Sequence, residues 1–86
     1  MILKFISLHS ISGTSRKTGE PFRFGVCYAT SDTFRPRGWT GVYCVSWNVN
    51  GEDLDDLVRR LTAEPNGFVA DFVFDPSGRY LGYEEI

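Results

Sequence analysis

Histidine is almost missing from this chain of 86 residues, with His9 as its one example. A Ser/His/Asp or Cys/His nucleophile system therefore has a single candidate base, and no evident residue to orient it. Cysteine is limited to Cys27 and Cys44, without CxxC spacing or neighbouring histidines, which argues against a zinc site. Both cysteines fall in predicted strands, where a reduced, buried thiol is the ordinary outcome. No phosphate-cradling glycine loop and no dinucleotide fingerprint is present. Long hydrophobic runs are absent as well. The stretch Met1–Leu8 is too short for a secretory signal and is broken by Lys4, and no later segment could span a bilayer. Asp71 and Asp75, four apart on a predicted strand and near Glu84 and Glu85, could in principle hold a metal or do acid–base work. Solvated surface acids are the commoner outcome of that pattern. These absences lead to the expectation of a non-catalytic cytoplasmic protein with no cofactor, no metal and no membrane.

What the chain does have is aromatic side chains. Hydrophobic residues make up 42 % of it and aromatics 15 %, a composition of folded chains, not disordered ones. Its length fits one domain over residues 1–86, which would bury roughly 60–65 % of its unfolded surface. Seven Phe, four Tyr and two Trp exceed what so small a core requires, so some rings are expected at the surface. Charge is divided unevenly along the chain. Residues 1–50 carry six cations against two acids, and residues 51–86 carry three against nine. A basic half joined to an acidic half points to charge-directed binding, even though the net charge is −2.

Periodicity predicts five strands and one helix. Ile2–Ile11 reads as a first strand, apolar on both sides at its start, which suits a strand that is covered on both faces or curls around a barrel. A second strand runs from Phe22 to Thr30. The third, Trp39–Val49, alternates throughout, with Trp39, Tyr43 and Trp47 on one face and for the most part in the core. Asn50 is a fitting N-cap for the only helix, whose Leu54, Leu57, Val58 and Leu61 form one apolar stripe. Glu52 and Asp53 suit its first turn and Arg59 and Arg60 its last. Glu64–Gly67 ends it. Strands over Phe68–Asp75 and Arg79–Glu85 follow, joined by the turn Asp75-Pro76-Ser77-Gly78. The order is β-β-β-α-β-β, mainly β with one helix. It implies a small OB-like five-stranded barrel or a strongly bent sheet packed on one helix.

Chemistry concentrates between Ser12 and Tyr28. The loop Ser12–Pro21 is rich in glycine and hydroxyls, with the adjacent cations Arg16 and Lys17 near its middle. It runs directly into a strand that places Phe22, Phe24, Val26 and Tyr28 on one side and Arg23, Gly25 and Cys27 on the other. A second polar loop, Ser31–Gly38, carries Arg35 and Arg37 around Pro36, with Phe34 beside them and expected to fold back onto the domain. Aromatic rings stack on unpaired bases of any sequence, while cations follow the phosphates. The candidate nucleic-acid-binding residues are accordingly Arg16, Lys17, Phe22, Arg23, Phe24, Tyr28, Arg35 and Arg37.

The run Gly13–Phe24, followed by Cys27-Tyr28, resembles the DNA-binding wing of the small single-stranded-DNA-binding, helix-destabilising proteins of filamentous phages. The likeness lies in a hydroxyl–basic–Gly–x–Pro–aromatic order at a comparable distance from the N-terminus, and it covers about a fifth of the chain. It implies a homodimeric, sequence-tolerant coat on single-stranded DNA in the cytoplasm of a bacterial host. Arg16 would be the phosphate contact, Phe22 the stacking ring and Phe24 its apolar neighbour. Phe22 stands where such proteins carry a tyrosine, keeping the flat face and losing the hydroxyl. The helix is longer than those proteins need, and the net charge is negative where a DNA coat is usually basic. RNA is an alternative ligand. A second, separate expectation is a phage-type inhibitor whose acidic C-terminal half (Glu52–Asp56, Asp71, Asp75, Glu84, Glu85) blocks the basic surface of a host protein.

Overall fold

The computed structural model describes residues 1–86. Its elements are β1 (Ile2–Thr14), β2 (Pro21–Ser31), β3 (Tyr43–Val49), α1 (Gly51–Ala63), β4 (Phe68–Phe74) and β5 (Tyr80–Glu85). They follow the expected β-β-β-α-β-β order. All pairings are antiparallel, and the strands lie in the order β3-β2-β1-β4-β5. The sheet does not close, so the bent sheet packed on one helix is the form observed. β3 and β5 are its two free edges.

Curvature comes from β1, the central strand. A bulge between Phe5 and Ser7 inserts Ile6 without a partner on β2, and an inserted residue bends and twists its strand. Leu3 and Phe5 are buried before the bulge and Leu8 is half-buried after it, while Ile2 and Ile6 stay exposed. The apolar residues on both sides of β1 thus reflect bending, not cover on both faces.

Inside the bend sits an aromatic cluster. Phe5 and Phe72 are fully buried, and the Trp47 ring lies 5.8 Å from Phe5, 5.4 Å from Phe72 and 5.6 Å from Tyr80, centroid to centroid. The Trp47–Tyr80 pair joins residues from the two edge strands, drawing the ends of the sheet toward each other. Packing of this kind outweighs the buried Trp47 indole N–H, which has no acceptor and by itself costs about 1–3 kcal/mol.

The helix closes the mouth of the bend. Asn50 precedes it in extended conformation, and Glu52, Asp53 and Arg60 occupy the dipole-compatible ends. Leu54 and Leu57 are fully buried. Leu54 reaches Gly25 of β2, where an added Cβ would stand 2.6 Å from the leucine Cδ1 and 3.3 Å from Leu8 Cδ2. Glycine is thus required there by close approach. At the other end, Arg60 lies 4.2 Å over the Phe68 ring and pairs with Glu64 at 2.5 Å and with Glu85. This fastens the helix to β4 and β5.

Two differences from the sequence reading concern strand ends. β1 and β2 continue to the pair Thr14–Pro21, so the expected loop from Ser12 is shortened to Ser15–Glu20. β3 begins only at Tyr43. Gly38 and Gly41 adopt φ of 86° and 91°, values a strand does not use, and residues 39–42 belong to a loop. Trp39 consequently leaves the core and is 40 % exposed, Tyr43 is half-buried, and only Trp47 of the three is buried.

Gly25→Ala should destabilise the fold by about 1–3 kcal/mol through overpacking against the immobile Leu54, and Phe72→Ala by about 3–5 kcal/mol. Urea denaturation measures both. Burial pushes the Cys27 thiol up to about 12 and also raises Tyr80. Between the ordinary thiol value and about 12 the folded protein holds a proton that the unfolded chain has released. Stability should therefore fall as pH climbs through that window. Cys27 is buried and Cys44 exposed, so a thiol reagent should label Cys44 alone in the native state and both cysteines in denaturant.

Candidate nucleic-acid interface

Alternation along β2 assigns its side chains to two surfaces. Gly25, Cys27, Ala29 and Ser31 are buried toward the helix, while Phe22 and Tyr28 are exposed on the outer face and Phe24, Val26 and Thr30 are half-buried there. At its Phe24 end that face borders a cavity also lined by Asn48, Asn50, Asp53 and Arg79. Phe22 and Tyr28 are 43 % and 42 % exposed. The rings of Phe22 and Phe24 lie 6.2 Å apart and within 28° of parallel, the i, i+2 spacing that a strand imposes on one face. Across the hairpin, Phe22 is paired with Gly13. The phenylalanine ring lies over that glycine, where an added Cβ would come within 3.0 Å of Cζ. Absence of a side chain at position 13 lets the ring lie against the ribbon with its outer face free.

The loop Ser15–Glu20 at the tip of this ribbon is ordered by its own hydrogen bonds. Ser15 N–H donates to the Glu20 carbonyl at 2.8 Å, and Gly19 N–H to the Ser15 carbonyl at 2.8 Å. Hydroxyls complete it: Ser15 Oγ accepts from Thr18 N–H and Thr18 Oγ1 from Glu20 N–H, each at 3.3 Å. Gly19, at φ 72°, supplies the left-handed residue of the turn. Backbone polar groups being satisfied locally, Arg16 and Lys17 are left exposed at the tip. Neither forms an ion pair.

Arg23 points the other way. It sits on the helix side of β2 and forms an ion pair with Asp55 of α1 at 2.8 Å. Of the eight candidate residues, Arg16, Lys17, Phe22, Phe24 and Tyr28 share the β1–β2 ribbon with its Ser15–Glu20 tip (the wing) and the outer face of β2. Arg35 and Arg37 lie beyond the opposite end of β2, exposed and without ion pairs. They flank Pro36 in a loop that also holds Phe34, which folds back edge-on against Tyr43 of β3, as expected, while remaining 48 % exposed. Trp39 joins this loop and was missed as a surface residue, because Trp39-x-Gly41-x-Tyr43 alternates as a strand would. The Gly38 and Gly41 punctuation was the signal that it does not.

The acids have local employment. Asp75 accepts from Ser77 Oγ, Ser77 N–H and Arg79 N–H at 2.6, 3.0 and 2.8 Å, which lowers its pKa, and Asp71 lies 2.7 Å from the Met1 amino group. On the helix, Asp56 pairs with Arg59 and Asp55 with Arg23. No helix of the structure is long and apolar enough to cross a membrane.

Exposed ion pairs contribute little, typically about 0–1 kcal/mol. Arg23→Ala should therefore shift the urea midpoint only slightly. It should also lower affinity for an oligonucleotide far less than removal of Arg16 and Lys17, since its guanidinium is turned from the wing and already paired.

Comparison with protein-family models, with curated proteins and with solved structures finds no match to this chain. Its activity has to be argued from its own surface.

Proposed function

We propose that this protein binds single-stranded nucleic acid without sequence preference and performs no catalysis. One observation carries the reading: a nearly parallel Phe22–Phe24 pair, Phe22 exposed and Phe24 half-buried, at the base of a loop whose two cations form no ion pair in the protein. Stacking and phosphate neutralisation need those two features on one surface. Sequence tolerance follows because every base has a flat face on which an aromatic ring can stack. The net charge of −2 does not oppose this, since two of the four acids of α1, Asp55 and Asp56, are paired with Arg23 and Arg59.

The resemblance of Gly13–Phe24 to the wing of the filamentous-phage proteins supports the same reading. It adds single-stranded DNA as the ligand, a homodimer as the working form, an OB-like ancestry and the bacterial cytoplasm as the setting. The rival, an inhibitor of a host protein acting through its acidic half, gains less from the structure. Its acids are divided between the helix, the outer face of β4, the β4–β5 turn and the end of β5, and several are engaged by the chain's own groups.

Binding should weaken steeply with salt, because each neutralised phosphate releases counterions. In a titration followed by anisotropy of a labelled oligothymidylate, Arg16→Ala combined with Lys17→Ala should reduce both affinity and the log–log salt slope, the latter by about 1.4 for two contacts to a single strand. Phe22→Ala should cost about 1–3 kcal/mol of binding, with Phe22→Tyr close to the parent. Unchanged affinity and slope in the double variant would remove the wing from the interface. Parallel titrations with oligouridylate separate DNA from RNA.

A further inference from the structure

The loop between β2 and β3 is ordered as closely as the Ser15–Glu20 loop. Ser31 Oγ accepts from Phe34 N–H at 3.0 Å, fixing the start of the loop. Trp39 N–H donates to the Pro36 carbonyl at 3.0 Å, closing a turn over Arg37 and Gly38 in which Gly38 takes φ 86°. The Trp39 indole N–H donates to the Val42 carbonyl at 2.9 Å, which pins the polar edge of the ring. Phe34 and Trp39 both stand edge-to-face against Tyr43, at 5.4 and 4.9 Å and at 79° and 83°. Neither is sandwiched, and they are 48 % and 40 % exposed. An apolar ring held in a defined pose at the surface is costly to leave in water without use. Here two such rings flank Arg35 and Arg37 in sequence, and neither arginine has an ion pair.

Its position adds the second half of the inference. This loop and the wing leave β2 at opposite ends, and the 11 residues of β2 between them span about 35 Å. Phe22, Phe24 and Tyr28 lie along the way. Each loop has two cations against one acid, Glu20 in the wing and Asp32 in the other. Aromatic and arginine side chains also favour protein contacts. Two matching basic loops at the ends of one open aromatic strand fit a continuous polyanion better than a compact protein partner.

Resting on the reading of the wing as a single-strand site, we propose that Trp39 and Phe34, with Arg35 and Arg37, form a second base-stacking subsite. One extended strand then runs from the wing along β2 to this loop. The preferred ligand is an unpaired strand long enough to bridge both loops, not a hairpin or a short end.

The test uses the full chain and labelled oligothymidylates of about 4 to 16 nucleotides, the range of single-domain sites. Affinity of the parent should climb with length until both loops are reached. Arg35→Ala combined with Arg37→Ala should leave the shortest oligomer unaffected and weaken the longest by about tenfold or more. Tryptophan emission should be quenched by the longer oligomers, and Trp39→Phe should abolish the quench, since Trp47 is buried. Parent-like affinity of the double variant at every length, with quenching retained in Trp39→Phe, would overturn the second subsite and leave the wing standing. Failure of the parent to bind any oligomer would overturn both.

Discussion

A single helix cannot cover both faces of a five-stranded sheet, and the rest of this molecule follows from that restriction. Leu54 and Leu57 press into one side, and the sheet bends around them until Trp47 of one edge meets Tyr80 of the other. All the apolar cover available is spent on that concave side. The convex side is left to water, together with whatever β1, β2 and β4 place on it. An uncovered face dotted with Ile, Val, Phe and Tyr costs solubility, and it is tolerated in proteins that use such a face. The wing is a product of the same geometry. β1 and β2 continue past the region the helix shields, so their far ends form a two-stranded ribbon with a satisfied backbone and free side chains.

Division of charge also becomes spatial. Most acids of the second half of the sequence lie on the helix and the β4–β5 hairpin, whereas the unpaired cations Arg16, Lys17, Arg35 and Arg37 lie in the two loops that leave β2. A chain with negative net charge can thus present a positive track. The field at the Ser15–Glu20 tip is set mainly by its own cations over roughly a Debye length, about 8 Å at physiological salt, while Asp55 nearer the base of the ribbon is neutralised by Arg23.

Much of this was legible in the residues. Two-residue periodicity in Phe22–Ala29 assigned the correct faces to Phe22, Phe24 and Tyr28, and the leucine stripe after Asn50 located the helix, although the Asn50 side chain makes no capping hydrogen bond. The β-β-β-α-β-β order followed from those elements. Strand ends were less legible for a physical reason: extension of β1 through Gly13 depends on a partner ring, Phe22, that fills the glycine's empty side. Trp39 was misplaced because alternation alone does not distinguish a strand from a loop whose glycines take positive φ. The Arg23–Asp55 pair is a contact between strand and helix, and nothing local to either residue announces it.

Pairing of Thr14 with Pro21 and of Gly13 with Phe22 fixes how the ribbon can vary between relatives. Side chains on a strand change sides with every residue, so inserting a single residue between Gly25 and Phe22 would turn the phenylalanine toward the helix and Arg23 outward. Two added residues on each strand would lengthen the reach by about 7 Å and preserve every orientation. The arm can be drawn out or trimmed only in even steps, which makes its parity, more than its length or its loop composition, the property that sequence change must respect.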